Sequence, residues 1–423
     1  MVRSGASDFE AHYEQVVEVP DVEKWANETF RSRSANTAAG ITEEVAWAYL
    51  DTHRQDFAMK GISREKGHVG LVDVIDFGSE TPYTGLTLCF DHALFDGPGT
   101  FGVVDRLLQN YVEHGQTDLD KPLVKAEPDT TLLAFLNHET LDADYSEAVG
   151  SIIAASENDS ESAYPLAPVT RLKRQGRVAA ISHTFTADET TKLLAAAKRH
   201  QMSISMVAFA THIVALLKRL PFDSSDKKNA RRTHIPIGGP VNVRQLLPPS
   251  KGVEKSSGAV VVLVSHNILL ESLTESLLRG EVETEQDTEV LLSLSRALKD
   301  ETERTKEGFG PRLALFDAFS RETTKSGQLP PRPPGTMSFV VSDGLLERFL
   351  SRTYGKGDDA LQVVNASVIV NNQNPFVTGR TMTFAGRLTL CYNFNGELWE
   401  SGGIETKTMA KDWADVLKRV LDV

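Results

Sequence analysis

Residues 86–97 read LTLCFDHALFDG, a short apolar run followed by a histidine, three further residues and then Asp-Gly. The apolar run predicts a strand over 86–90. Apolar residues that recur at helical spacing from Phe101 to Tyr111 predict an amphipathic helix after it. A strand that ends just before His92 places this side chain at the mouth of a sheet. Gly97 permits backbone geometry that other residues resist, and we interpret it as the turn that opens the helix.

His92 is a candidate general base. Histidine is the one side chain whose unperturbed pKa lies close to the usual operating pH, so it can take and return a proton within one turnover. Asp96 is suited to accept a hydrogen bond or to pair with an arginine, and so to hold the turn. The alternative interpretation is structural, a turn histidine followed by an Asp-Gly turn.

The glycines after the histidine form a second pattern, because residues 97–102 read GPGTFG, a literal G-x-G-x-x-G. Such a pattern binds a dinucleotide when it directly follows a strand. Here residues 91–96 intervene, and the segment 114–118, HGQTD, does not lead to an apolar strand ending in an acidic residue. We therefore interpret the glycines as the turn that feeds the helix. The sequence contains neither a P-loop nor a G-x-S-x-G elbow.

Composition and charge restrict the possible partners. The chain has 423 residues, a net charge of −13 and 40% apolar residues. This length exceeds one ordinary core and predicts two domains. The negative balance, with no long basic stripe to offset it, argues against nucleic acid or an anionic membrane as the main partner.

Neither metal nor disulfide chemistry is indicated. Cys89 and Cys391 lie inside apolar runs and are expected to be reduced core thiols, and no Cys/His cluster has the spacing of a metal site. Residues 1–10 contain no apolar segment typical of a secretory signal, and no apolar run approaches the roughly 18 residues that span a bilayer. We therefore expect a cytoplasmic protein.

The domain boundary is predicted at 155–168, a polar, Ser-rich and then Pro-bearing segment that is typical of a linker. This divides the chain into domains 1–168 and 169–423. Strands and helices alternate on both sides of the linker, which predicts α/β layering. The run in Ala259–Val264 is continuously apolar and is typical of a strand covered on both faces. The other strands predicted after the linker are Val178–Phe185, Ile235–Val243, Thr336–Val341, Val363–Val370 and Arg387–Tyr392.

Several segments, taken together, resemble the CoA-dependent acyltransferase superfamily. That group includes chloramphenicol acetyltransferase, plant BAHD acyltransferases, peptide-synthetase condensation domains and alcohol O-acetyltransferases. His92-x-x-x-Asp96-Gly97 resembles its active-site motif. The strand–helix–helix of 178–220 is similar to the start of its second domain. Residues 240–249, PVNVRQLLPP, resemble its Asn/Asp-x-Arg segment. Residues 337–350, MSFVVSDGLLERFL, and 384–393, FAGRLTLCYN, look like segments of the fungal trichothecene 15-O-acetyltransferase-like branch.

The resemblance implies a fold and a reaction. The fold would be two chloramphenicol-acetyltransferase-like domains, each a mixed β-sheet flanked by helices, with an active-site tunnel at their interface. The reaction would move an acyl group, expected to be acetyl, from acyl-CoA to a hydroxyl of a small natural product in secondary metabolism. His92 would act as general base without an acyl-enzyme. The enzyme would be a monomer that holds no bound cofactor and uses acyl-CoA as co-substrate.

The resemblance also assigns roles to other residues. Arg244 would pair with Asp96 and hold the turn at Gly97. Ser338 and Ser342 are candidates for binding the oxyanion or the substrate, since strand alternation makes them face the same way. The alternative interpretation is that they are ordinary serines of a strand and a turn. The basic runs 171–174 and 227–232 either approach the CoA phosphates or lie in solvated loops.

The chain departs from the family pattern at three places. Asp91 stands where condensation domains carry a further histidine. Ser342-Asp343-Gly344 replaces the BAHD Asp-Phe-Gly-Trp-Gly segment, and only 91 residues precede His92. Two alternatives therefore remain open. One is a CoA-independent cyclisation, dehydration or carbon–carbon bond formation at His92, and the other is a non-catalytic ligand-binding protein.

Overall fold

The computed structural model describes residues 2–4, 9–11, 24, 26–35, 41–60, 62, 70–92, 95–114, 144–150, 161–168, 176–247, 261–315, 318 and 337–423. In these ranges the strands form one six-stranded sheet, one three-stranded sheet and two two-stranded ribbons. The basic run at 171–174 lies outside the described residues. The mixture of sheets and flanking helices is the predicted α/β class.

The first half is built on the three-stranded sheet, which delivers His92. Its elements, in chain order, are β1 (Val2–Ser4), β2 (Phe9–Ala11), β3 (Phe30–Ser34), α1 (Glu43–Lys60), β4 (Gly70–Asp76), β5 (Thr84–Phe90) and α2 (Gly97–His114). The sheet order is β3-β4-β5, with β3 parallel and β5 antiparallel to β4. Ala46 of α1 packs with the buried Ile75 and Phe77. Strand β5 ends two residues before His92, and helix α2 begins directly after Asp96.

The second half is built on the six-stranded sheet, ordered β6-β13-β12-β9-β7-β8. Its elements are β6 (Val178–Thr184), α3 (Ala187–Arg199), α4 (Ile204–Leu217), β7 (His234–Asn242), β8 (Val261–Leu269), α5 (Glu275–Leu278), α6 (Glu285–Glu307), β9 (Ser338–Leu345), β10 (Thr353–Tyr354), β11 (Leu361–Gln362), β12 (Thr378–Phe384), β13 (Arg387–Asn395), α7 (Gly396–Ser401) and α8 (Met409–Leu421). Strands β7 and β9 are parallel but register only at 237–238 with 338–339. Beyond that point the ladder between them stops.

Helix α4 is the centre of the second half. Its residues 207–217 are all buried, as expected for a helix that is apolar around its whole circumference. Trp399 and Trp413 are fully buried in the same cluster. Thr186 caps α3 in a capping box with Glu189, and the Ser203 hydroxyl caps α4, so local capping and core burial agree.

The prediction that Ala259–Val264 forms a strand covered on both faces is wrong. The strand formed here, β8, stands at the edge of the sheet, and Leu263 and Leu269 are 45% and 49% exposed. An apolar run shows that its side chains are favourable to bury, but not which strands lie beside it. The predicted strand Val363–Val370 has no ladder pairing among the described residues, and β12 was not predicted.

Contacts between the halves involve α1 and the linker. Asn371 Nδ2 donates a hydrogen bond to the Ala58 carbonyl at 3.1 Å, and Arg54 Nη1 donates one to Ser367 Oγ. Residues 161–168 of the proposed linker pack on the second half, where Thr233 N–H donates to Ser162 at 2.8 Å. The boundary at 168 stays a prediction. In the described part of the chain no single helix has the length and composition of a membrane span; only α3 and α4, bent by 97°, pass such a test as a pair.

Candidate active site

The turn at 91–96 sets the hydrogen-bonding state of His92. The side chain is exposed, and its Nδ1 lies 2.7 Å from the Phe95 carbonyl oxygen. A carbonyl only accepts, so Nδ1 carries a hydrogen, and in the neutral imidazole the lone pair is on Nε2. Phe95 N–H donates to the Asp91 carbonyl at 3.1 Å and closes the turn. The backbone thus orients an imidazole whose Nε2 can accept a proton.

Asp96 joins this turn to the second half of the chain. Its carboxylate accepts from both terminal nitrogens of Arg244 at 2.7 Å, and the two side chains are 5% and 3% exposed. Such a bidentate pair fixes orientation as well as distance. Asp96 Oδ1 also accepts from Gly99 N–H at 2.8 Å at the start of α2. Arg244 itself stands just after β7, where Asn242 Oδ1 accepts its N–H at 3.0 Å.

A second buried ion pair lies against the same turn. Arg380 Nη1 donates to both oxygens of Asp343, at 2.8 and 2.7 Å, and the side chains are 5% and 2% exposed. Burial raises the pKa of Asp343, and the charge of Asp96 adds to this effect while Arg380 opposes it. A Cβ on Gly97 would lie 2.8 Å from Asp343 Oδ1. The second pair therefore needs a residue without a side chain at 97.

An irregularity in β9 accounts for the direction of Asp343. Ser342 pairs with Thr381 and Gly344 with Met382, so that Asp343 is an extra residue in the ladder. A bulge of this kind re-aims the side chain at its position, and Gly344 adopts φ = 66° beside it. Sequence reasoning quoted the segment 342–344 but did not assign Asp343, and the polar strand that carries Arg380 was not predicted.

The two candidate serines face the same helix and have different environments. Ser342 is exposed, and its Oγ lies 2.8 Å from Ser205 Oγ at the start of α4. Ser338 is 1% exposed, and its Oγ lies 2.7 Å from His212 Nε2. Burial lowers the pKa of His212 to about 3. This corrects the expectation that both serines line a tunnel, because helix α4 closes over Ser338. Their roles in the reaction stay predictions.

A cleft of about 210 Å³ opens beside the ion pairs. Asn242, two residues before Arg244, and Ser342, adjacent to Asp343, both line it. Its walls are mostly apolar and come from α4, β7, β9 and α6; they include Met206, Phe209, Leu298 and Val340. Charged or titratable side chains join from β8 and α6, namely His266, Glu301 and Lys306. Strand β7 contributes residues 237–242 to the cleft, and β9 contributes Val340 and Ser342.

The basic run 227–232 does not approach this cleft, since none of its residues lines it and Arg231, 82% exposed, pairs with Glu161. Among the described residues, no group of three or more His, Cys, Asp and Glu side chains is arranged to hold a metal ion. Cys89 and Cys391 are free thiols, and burial raises the pKa of each.

Comparisons with known proteins identify the fold. No family model matches the chain, and no curated protein matches its sequence. The solved TRI3 trichothecene 15-O-acetyltransferase from Fusarium sporotrichioides is similar over 96% of this chain and 78% of its own, with 17% identity and a TM-score of 0.72. The epimerization domain TycB3(E) of tyrocidine synthetase B is similar over 93% and 81%, with 12% identity and a TM-score of 0.52.

A third similar structure is the condensation domain from the monacolin K polyketide synthase MokA. It matches 93% of this chain and 78% of its own, with 14% identity and a TM-score of 0.50. At these identities the likeness describes the fold. The sheets and helices of this chain are those of the fold that the His92 motif predicts.

Proposed function

Because the chain has the fold of the CoA-dependent acyltransferases and condensation domains, we propose that it transfers an acyl group, acetyl in the first instance, from acyl-CoA to a hydroxyl of a small molecule. The observation that carries this proposal is the geometry of His92. Its Nδ1 donates a hydrogen bond to the Phe95 carbonyl, so Nε2 is the basic nitrogen of the neutral ring. The buried pair of Asp96 with Arg244 holds the turn on which it stands, and the buried pair of Asp343 with Arg380 lies against Gly97.

The proposed reaction is a direct transfer. His92 Nε2 takes the proton of the acceptor hydroxyl, and the oxygen attacks the thioester carbonyl to form a tetrahedral oxyanion. Collapse of this intermediate breaks the carbon–sulfur bond, and the leaving CoA thiolate takes the proton back from His92. No acyl-enzyme forms, so no activated Ser or Cys nucleophile is required. Asp96 and Arg244 are positioning residues, since each acts through the turn.

Ser342 is the proposed donor to the oxyanion. Stabilising the developing charge usually contributes more than any other single term to acyl transfer, provided that the donor is already aimed. Ser342 is exposed, lines the cleft and is adjacent to Asp343, which packs against Gly97. Ser338 is buried against His212, so we do not propose it for this role.

The cleft is the proposed binding site for the thioester arm of the donor. It is mostly apolar, which suits an acyl-pantetheine chain, and two of its lining residues, Asn242 and Ser342, are close in sequence to Arg244 and Asp343. Lys306 lines it as well and is paired with Glu303. This cation suits a phosphate of CoA. Acyl-CoA is thus a co-substrate, and the proposal needs no bound cofactor.

The experiment is to incubate wild type and His92→Ala with acetyl-CoA and a panel of hydroxylated small molecules, and to measure free thiol. Thiol release that needs both His92 and an acceptor supports acyl transfer. Turnover of an acceptor without CoA would replace it by a CoA-independent reaction at the same base, a chemistry consistent with a fold that an epimerization domain also has. Acceptor binding without turnover would indicate a binding protein.

A further inference from the structure

Three hydroxyl groups from three elements meet where Ser342 lines the cleft. Ser205 Oγ of helix α4 lies 2.8 Å from Ser342 Oγ of β9, and Thr381 Oγ1 of β12 lies 3.5 Å from Ser205 Oγ. Ser342 and Thr381 are cross-strand partners, so the ladder fixes their spacing. The mechanism above uses Ser342 alone and assigns nothing to Ser205.

The donors and acceptors of the two serine hydroxyls indicate a role for Ser205. A serine hydroxyl has one hydrogen to donate and two lone pairs that accept. If Ser342 donates its hydrogen to a substrate oxygen, the contact at 2.8 Å is satisfied only when Ser205 donates to Ser342. Hydrogen bonds in a chain polarise one another, which strengthens the last donor. The weak contact with Thr381 allows Ser205 to accept in turn.

Helix α4 adds a favourable potential at the same place. Ser205 is in the first turn of this 14-residue helix, whose N-terminus carries partial positive charge. The helix cap is a different residue, since Ser203 Oγ accepts from Met206 N–H at 3.4 Å. The Ser205 hydroxyl is therefore not the helix cap, and forming the helix does not require its contact with Ser342.

We propose that Ser205 is a positioning residue for acyl transfer. It donates its hydroxyl hydrogen to Ser342 Oγ, so that the hydrogen of Ser342 points at the oxyanion of the tetrahedral intermediate. No proton is transferred between Ser205, Ser342 and the intermediate in this step. Both hydrogen bonds shorten as negative charge develops and relax when the carbonyl re-forms. The inference rests on the proposed acyl transfer and adds a second hydroxyl to it.

The test is the rate of thiol release from acetyl-CoA, in the presence of the panel of hydroxylated small molecules, by wild type and four variants. Ser342→Ala is expected to lower kcat by about 10²-fold, at the lower end for an oxyanion donor. Ser205→Ala is expected to lower kcat about tenfold without changing KM for acetyl-CoA. Ser205→Thr keeps a hydroxyl and is expected to restore most of the rate. Ser203→Ala is the matched control, because it weakens the same helix but leaves kcat unchanged.

A double variant separates positioning from a general structural loss. If Ser205 acts only through Ser342, then Ser205→Ala adds nothing to the loss of kcat in Ser342→Ala. Full kcat in Ser205→Ala, beside a loss in His92→Ala and Ser342→Ala, would overturn this inference and leave the proposed function standing. An equal loss in Ser203→Ala would overturn it as well. No thiol release by wild type would overturn the proposed function together with this inference.

Discussion

Replacing Asp96 by asparagine tests the ion pair on which the turn depends. The pair is bidentate at 2.7 Å, and its side chains are 5% and 3% exposed. Removing one partner of such a pair costs about 3 to 5 kcal/mol, because the remaining charge stays buried without compensation. Asparagine keeps one oxygen, which can still accept from Gly99 N–H and from Arg244 Nη2, but its amide nitrogen cannot accept from Arg244 Nη1. We therefore expect the free energy of unfolding to fall by about 3 kcal/mol, at the lower end of that range.

The assay is urea unfolding of wild type and Asp96→Asn near neutral pH, with the slope m compared between them. The matched control is Glu161→Gln, which removes the ion pair of Glu161 with Arg231 at 3.0 Å on the surface, where the side chains are 72% and 82% exposed. That change is expected to cost no more than about 0.5 kcal/mol. Acyl transfer is expected to fall in Asp96→Asn as well, since the turn aims His92.

The reasoning would be refuted if Asp96→Asn unfolded within about 1 kcal/mol of wild type and kept full activity. It would also be refuted if the surface control lost as much stability as the buried variant. A loss of stability with full activity would retain the structural pair but remove its link to the orientation of His92.

Five further substitutions test other parts of the structure. His92→Ala is expected to lower acyl transfer by about 10²- to 10⁴-fold and, as the side chain is exposed, to leave the urea midpoint nearly unchanged. Gly97→Ala places a Cβ 2.8 Å from Asp343 Oδ1 and should lower the melting temperature, whereas Gly102→Ala, with nothing within 4 Å of its Cβ in the same helix, should raise stability by about 0.5 kcal/mol. Asp343→Asn should destabilise the fold and lower activity, a change visible in urea unfolding and in thiol release. His212 stays neutral in the fold, with a pKa of about 3, and protonates near pH 6.5 when unfolded, so its contribution is full above that pH and lost as the pH falls. Wild type should lose about 2 kcal/mol between pH 7.5 and 5 through this group, and a His212→Gln variant with the same pH slope would contradict this.

The turn that carries His92 could be predicted from sequence because its signals are local. An apolar strand, a histidine, an Asp-Gly pair and a helical repeat follow one another within 30 residues of chain, and each has one ordinary structural meaning. The strand–helix–helix of 178–220 also depends on local signals, since a capping residue precedes each of its two helices. The partnership of Asp96 and Arg244 came from family resemblance, as 148 residues separate them.

The parts that were missed depend on neighbours in space. Strand β12 contains the buried Arg380, and a charged residue in a short polar segment does not indicate a central strand. Its partner Asp343 is turned toward Gly97 by a bulge, which no periodic pattern reveals. For β8, a strand covered on both faces was predicted and an edge strand is observed, because an apolar run is compatible with both a central and an edge position. Ser205 lies in the first turn of α4, and no periodic pattern in the sequence reveals its contact with Ser342.

The central claim is that His92 is the general base of a CoA-dependent acyl transfer. The most direct measurement is mass spectrometry of the products formed from acetyl-CoA and a hydroxylated acceptor by wild type and by His92→Ala, with circular dichroism to show that both are folded. We predict an acetylated acceptor and free CoA with wild type, no acetylated protein, and almost no product with the variant. Equal product formation by the folded variant, or an acetylated enzyme that forms and decays at the rate of turnover, would contradict the account.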